Sequence, residues 1–469
     1  MQDEQSNGAQ PSQQAVQRAV IQKALSAELR RRGTGTTVAD GRGRGEDDPT
    51  VVEAERRDIE FLYETDRLLV REEFLDRVNG ILAQLGLVPR QRPPEEARPP
   101  GEDQPRLSDH VVAGVRLLRL QRTPENAHLD TLETLRIIIE GGEVPFDEGK
   151  RTVVIDGVGP GVVAPNHVVS ITGQGGGCPA VEPEPVPAGS EPYPGYTSDR
   201  CAGEGVRVVV VDTGLDPTAP ARSPWLAEVT GMEDVYIHGD GTLGDYAGHG
   251  TFIAGVVRSV APRAQVHVRR VFQFGGAVLE SDLVRALTRV LDQDHPDVIS
   301  MSAGTHTYDA TGLLTFHVFN ERLLRHHKGV VLVVAAGNDD DRKPFWPAAA
   351  PYTVSVGALS TNWRGRARFS NHGGWVDVYA PGQDLTNAFP VGRYEYHEPP
   401  YGEHNPRIEA FYGMARWSGT SFSTPIVAGL IAARMFRTGE NGRDAAAALL
   451  ADARRQAQPG VGAVLLPEA

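Results

Sequence analysis

The sequence predicts an α/β protein: a mostly parallel sheet covered on both faces by helices, preceded by a small α+β domain. Three observations carry this. Val206–Val211 is an almost unbroken valine run. It is followed by further strand-like runs at Val266–Val271, Val298–Ser302, Val330–Ala335 and Thr353–Val356, with apolar helical patterns between several of them. Strands that read as continuous β-branched runs are buried on both faces, which is the condition of a parallel sheet. Upstream, residues 59–171 mix short strand-like and helix-like segments.

The chain has 469 residues, too many for one ordinary core, so two or three domains are expected. Hydrophobic residues are 40% and charged residues 23%, the balance of a soluble globular protein. A formal net charge of -14 argues against a nucleic-acid partner and names no substrate. No run approaches the ~20 apolar residues that span a bilayer, so no membrane partner is expected. The opening MQDEQSNGAQPSQQ has neither a basic nor an apolar leader segment, which gives a cytoplasmic expectation. Cys178 and Cys201 lack the spacing of a zinc or redox site. A disulfide between them is geometrically possible, but two incidental thiols are favoured.

Four segments follow in order. Residues 1–58 are polar and charged, with a weak apolar rhythm (Val16, Val20, Ala24, Leu25) that predicts one helix near 13–31 and a linker over Gly33–Thr50. In 59–171, Arg67–Val70, Val115–Leu120, Thr152–Ile155 and Val162–Ile171 read as strands. Phe74 to Leu85 and Leu129 to Ile139 read as helices, stopped by Gly86 and by Gly141 with Gly142. That order is a split βαβ, ferredoxin-like unit. Residues 172–204, with Gly175–Gly177 and then repeated Pro and Glu, read as a flexible or extended connector. The sheet domain occupies 205–469.

Chemistry collects at the ends of the predicted strands, where open parallel sheets place their sites. Asp212 directly follows the valine strand; a carboxylate there can hold an imidazole, though a turn aspartate before Gly214 is the bland alternative. His249 lies in Gly-His-Gly-Thr, whose small flanks suit close approach of a substrate backbone. One of 14 histidines means little by itself, and its context is what singles it out. Ser421 lies in Gly419-Thr-Ser-Phe-Ser-Thr-Pro425, ahead of a helical run. A helix N-terminus there would stabilise negative charge, with Pro425 tolerable in a first turn. An ordinary Ser/Thr helix cap is the alternative. Asn338 ends a strand in Ala335-Ala336-Gly337-Asn338, where its amide can donate to an oxyanion together with the Ser421 N–H.

Taken together, VVVVDTG, GHGTFIAG, AAGN and GTSFSTPIVAG resemble the four signatures of the subtilisin-like serine peptidases, in that family's Asp, His, Ser order. The resemblance covers roughly 205–460. It implies a three-layer α/β/α fold and endopeptidase activity on proteins or peptides through an acyl-enzyme. Ser421 would be the nucleophile, His249 the base, Asp212 the orienting carboxylate and Asn338 an oxyanion donor. It also implies that Ser302, Ala303 and Gly304 line the specificity pocket on one side and Ala335, Ala336 and Gly337 on the other. No cofactor is required for the chemistry. Many family members bind calcium, but no ligand set carries over, so metal is left open. Asp384–Trp417 departs from the compact pattern; it reads either as a packed surface excursion or as an extra wall on the cleft.

Residues 59–171 resemble, in element order, the prodomains of secreted family members. This implies a domain able to bind the active site within the same chain, cleaved off or retained, with an unrelated binding module as the third possibility. Self-cleavage is expected between Gly173 and Gly203. A partner-regulated protease and a catalytically silent scaffold are the rival functions.

Overall fold

The computed structural model describes residues 13–43, 59–87, 110–122, 126, 128–146, 151–171, 181–187, 189–397, 401 and 405–467. The N-terminal region opens with α1 (Gln13–Arg31), which buries Ile21, Leu25 and Leu29 along one stripe. Beyond it, the span expected to be a linker contains β1 (Val38–Gly43), paired antiparallel with β2 (Ile59–Arg71) from Val38↔Glu64 to Gly43↔Ile59. A Gly/Arg/Asp-rich stretch has little strand propensity of its own; the open edge of β2 supplies its hydrogen bonds.

The next elements are α2 (Leu75–Gln84), β3 (His110–Val112), β4 (Val115–Arg119), α3 (Thr131–Glu140), the hairpin β5 (Gly142–Phe146) and β6 (Arg151–Ile155), and β7 (Val163–Ser170). Asp130 caps α3 by accepting the Glu133 N–H at 2.7 Å. The strands lie in the order β7-β2-β4-β3, every neighbouring pair antiparallel, which is the split βαβ order. Leu68, Val70, Val78, Leu82, Leu135, Ile138 and Val163 fill the space between sheet and helices.

The C-terminal domain contributes β8 (Glu184–Pro185), β9 (Arg207–Asp212), β10 (Thr230–Gly231), β11 (Thr242–Leu243), β12 (Gln265–Arg270), β13 (Ala277–Leu279), β14 (Val298–Met301), β15 (Val331–Ala335), β16 (Val354–Leu359), β17 (Val378–Pro381), β18 (Leu385–Glu395) and β19 (Ile408–Trp417). Its helices are α4 (Ala219–Arg222), α5 (His249–Val260), α6 (Glu280–Arg289), α7 (Leu314–Arg322), α8 (Thr420–Thr438) and α9 (Gly442–Arg455). Seven strands form an all-parallel sheet in the order β10-β12-β9-β14-β15-β16-β17. From β9 the chain goes first to β10 and β12 on one side and later to β14 on the other, so the switch point lies at the carboxyl ends of β9 and β14. Among the described residues no helix is long and apolar enough to cross a membrane.

The two domains share backbone. β7 pairs antiparallel with β13, Val168↔Leu279 through Ser170↔Ala277. Past its end, Ser170 exchanges two hydrogen bonds with Gly304 (3.1 and 2.9 Å), and Ile171 N–H donates to the Gly276 carbonyl at 2.9 Å. Leu69, Val115, Ala164, Val169 and Ile171 belong to the same apolar cluster as the main sheet. α1 seals one flank by packing with Val168, Ala277 and Leu279. Arg71 pairs with both carboxylate oxygens of Glu321, at 2.8 and 3.0 Å. The apolar contact provides most of the docking energy, because such half-exposed ion pairs contribute only ~0–1 kcal/mol each.

The connector is more fixed than its composition suggests. β8 pairs with β19, and Tyr193 exchanges two 2.9 Å hydrogen bonds with Thr386. Trp417 Nε1 donates to the Val181 carbonyl and Tyr396 Oη to that of Pro183, both at 2.7 Å. Arg407 grips Glu184 with two hydrogen bonds and stacks 4.2 Å from the Tyr396 ring centroid. Pro and Glu disfavour secondary structure locally, but an edge strand more than two hundred residues away supplies the partners. That edge belongs to the Asp384–Trp417 excursion, which is the antiparallel β18–β19 pair with Phe389, Tyr394, Tyr396, Phe411 and Trp417 buried within it. Cys201 is exposed and free; Cys178 lies outside the described residues.

Candidate active site

Asp212 is the last residue of β9, at the switch point, and is buried. Its Oδ1 accepts the Thr213 N–H at 2.7 Å and stands 2.7 Å from His249 Nδ1. A carboxylate only accepts, so the shared proton sits on Nδ1 and the imidazole lone pair on Nε2. His249 opens α5 after Gly248, which turns the chain at φ +77°. The flanking glycines are required by the protein's own packing. A Cβ at Gly248 would lie 2.2 Å from Pro390 Cδ, and one at Gly250 would lie 2.3 Å from the Gly214 carbonyl oxygen. The ring meets Trp417 edge-on, with centroids 5.5 Å apart, and Phe422 at the same distance.

Ser421 is the second residue of α8. Pro425 is its i+4 residue and stands in the second turn, beyond the first-turn position expected for it. Lacking an N–H, it cannot satisfy the Ser421 carbonyl. Ser302 Oγ does so instead, at 2.9 Å. Replacing that hydroxyl, as in Ser302→Ala, orphans a buried carbonyl. We expect this variant to lose ~1–3 kcal/mol of stability, read as an earlier thermal or urea midpoint.

Asn338 lies beside the same helix start. Its Oδ1 accepts both the N–H and Oγ1–H of Thr420 at 2.9 Å, which turns the Nδ2 donor end away from Thr420. Gly337 N–H donates to Thr420 Oγ1 at 3.1 Å. Asn371 was not singled out by sequence, yet its Nδ2 bonds the Ala336 carbonyl and its Oδ1 accepts the Asp339 and Asp341 N–H groups. It fixes the Asn338 turn from a loop some thirty residues on, and nothing local in the sequence signals that. Ser302, Ala303 and Gly304 continue from β14, and Ala335 ends the neighbouring β15 with Ala336 and Gly337 following it, so the two candidate pocket walls adjoin. All six residues are buried.

Asp212, His249 and Ser421 are 1%, 0% and 0% exposed. Ser421 Oγ and His249 Nε2 have no hydrogen-bond partner among the described residues. Such contacts are commonly loose before substrate binds and tighten in the complex. Among the described residues no group of three or more His, Cys, Asp or Glu side chains is assembled to hold a metal ion.

A strand-end carboxylate holding an imidazole, a serine at a buried helix start and an amide beside it define a site of the serine hydrolase type. Residues 203–461 match the family model described as subtilase family, and the chain belongs to that family. Relatives include a thermophilic serine proteinase of Bacillus sp. (strain AK1), 30% identical over 51% of this chain and 55% of that protein. Another is an extracellular serine proteinase of Thermus sp. (strain Rt41A), 34% identical over 42% of this chain and 47% of that protein. The chain thus spans about half the length of the curated relatives it matches. A cold adapted subtilisin-like serine proteinase of known structure is 23% identical with a TM-score of 0.42, over 57% of this chain and 90% of that one.

Proposed function

We propose that the chain is a serine endopeptidase acting on proteins or peptides, and that its own N-terminal region restrains it. The observation that carries the first part is the 2.7 Å contact of His249 Nδ1 with Asp212. It leaves Nε2 as the acceptor in a site that also holds Ser421 and Asn338. In the forward step, Ser421 Oγ bonds to the peptide carbonyl carbon while its proton passes to His249 Nε2. The oxyanion so formed takes hydrogen bonds from Asn338 Nδ2 and the Ser421 N–H. Collapse breaks the C–N bond, and the imidazolium gives its proton to the departing amine. Water then hydrolyses the acyl-enzyme by the same proton route in reverse. Asp212 orients the imidazole and stabilises its charged form. The chemistry needs no cofactor.

Covalent labelling tests this. A fluorophosphonate should modify Ser421, located by mass spectrometry, and block casein cleavage by the processed protein. Absence of both labelling and cleavage in folded protein would favour the silent-scaffold alternative.

The restraint is supported by the cleft-side bonds of Ser170 and Ile171 to Gly304 and Gly276. An extended peptide substrate would use such backbone pairing. Further along, the Val181 carbonyl is held by Trp417, four residues before the serine. From Val181 on, the connector is tied to β19 and to Thr386, and backbone held in such pairing is a poor cleavage site. This narrows the expected self-cleavage to bonds between Ile171 and Val181. N-terminal sequencing of the fragments from a purified, incubated preparation should find new termini in that interval. Termini beyond Val181, or an intact chain in an active preparation, would contradict it. A cytoplasmic site of action gains nothing from the relatives' names, one of which is extracellular.

A further inference from the structure

We infer that Asp234 is a positioning residue for His249, clamping the backbone on both sides of the imidazole to the turn that carries Asp212. The inference rests on the peptidase reading above and adds a residue to it. Asp234 is only 5% exposed and lies in the loop between β10 and β11. One carboxylate oxygen does an ordinary local job: Oδ1 accepts the Tyr236 N–H at 2.9 Å. The other does not. Oδ2 accepts the Gly248 N–H at 2.8 Å and the Thr213 Oγ1–H at 3.1 Å. Thr213 Oγ1 in turn accepts the Gly250 N–H at 3.2 Å. A single oxygen thus ties residue 248, residue 250 and residue 213 together, and these flank His249 on both sides and follow Asp212.

The backbone supports the same junction. Leu215 N–H donates to the Met232 carbonyl at 2.8 Å and Asp234 N–H to the Leu215 carbonyl at 3.1 Å. A Cβ at Gly214 would lie 2.8 Å from both the N and Cα of Asp234, so only glycine lets the two turns come this close. A neutral amide could satisfy the local turn at Oδ1. The paired donors at Oδ2, and the cost of burying a charge, argue that a carboxylate is retained for a purpose. Burial, with the charge of Asp212 adding to it, pushes this carboxyl up to about 7. Asp212 on β9 is the charged group that acts on it, and Arg270 on β12 bonds the neighbouring Glu233 carbonyl at 2.7 Å.

The test uses the full chain after incubation has processed it, with a small chromogenic peptide. Asp234→Asn keeps the shape and removes the charge; Asp234→Ala removes both. Thr213→Val breaks the relay, and Thr213→Ser preserves it. We expect Asp234→Ala and Thr213→Val to lower kcat by ~10- to 100-fold with KM within ~2-fold, because small displacements of a catalytic group cost this much. Thr213→Ser should keep near wild-type kcat. Asp234→Asn sets an amide N–H2 against a backbone or hydroxyl donor, so its kcat should fall between wild type and Asp234→Ala. The downfield proton resonance of the His249–Asp212 hydrogen bond should weaken in Asp234→Ala. Wild-type kcat and an unchanged resonance in the variants would overturn the proposal, as would losses tracking only a lowered melting temperature. A wild type that neither cleaves nor is labelled at Ser421 would instead sink the peptidase reading, and the resonance would still report whether Asp234 holds His249.

Discussion

Ser421→Ala and His249→Ala should each fold and lose peptide hydrolysis by ~10⁴-fold or more, the scale expected when one member of a cooperating triad is removed. The two losses should not add. Oγ is useless as a nucleophile without Nε2 to take its proton, and Nε2 has nothing to deprotonate without Oγ, so the double variant should be about as slow as either single one. Both residues are fully buried; Ser421 Oγ makes no hydrogen bond whose loss would unfold the chain, whereas His249→Ala also strips buried Asp212 of its Nδ1 partner and should fold with reduced stability. Initial rates on a chromogenic peptide, with circular dichroism as the folding control, decide the matter. A Ser421→Ala protein that still cleaves at more than ~1% of the wild-type rate would place the nucleophile elsewhere. The same variant should also keep its 172–180 connector intact, because no other nucleophile is proposed to cut it.

Val169→Asp should unlock the site. Val169 is fully buried between the domains and pairs with Val278 of β13. An aspartate there either carries an unpaired buried charge or forces β7 away from β13. A penalty of ~3 kcal/mol moves the docked-to-open ratio by about 100-fold. Freshly purified, uncut Val169→Asp should therefore hydrolyse a small peptide far faster than uncut wild type, with the difference vanishing once both connectors are cut. Ile171→Pro is the milder companion. It removes only the N–H that bonds Gly276, so it should give a smaller gain in the same direction. Equal initial rates in all three uncut chains would mean that the N-terminal strand does not restrain the enzyme.

How much of this was legible beforehand depends on what kind of signal each feature leaves. The valine strands and the helices at 13–31, 75–84 and 131–140 announce themselves through local periodicity and burial, and the sequence places them closely. Asp212, His249, Asn338 and Ser421 stand out because each sits in a short string of small residues at the end of such an element. Features that depend on a distant partner leave no such trace. β1 and β8 have compositions that read as linker, and they become strands only because β2 and β19 offer an open edge. Pro425 looked like a first-turn residue until the start of α8 placed it one turn later, with Ser302 supplying the missing donor.

The sequence by itself determined the fold class, the likeness to the subtilase family and the four residues of the candidate site, because continuous apolar strands and short glycine-rich strings encode local geometry directly. Only the tertiary structure decided what surrounds them: β7 paired with β13, Asp234 bonded to the Gly248 N–H, Asn371 fixing the Asn338 turn and the aromatic β18–β19 pair beside the imidazole. Each of these is a contact between residues far apart in the chain. A lone buried aspartate or an edge strand looks like any other until the fold supplies the donor that satisfies it.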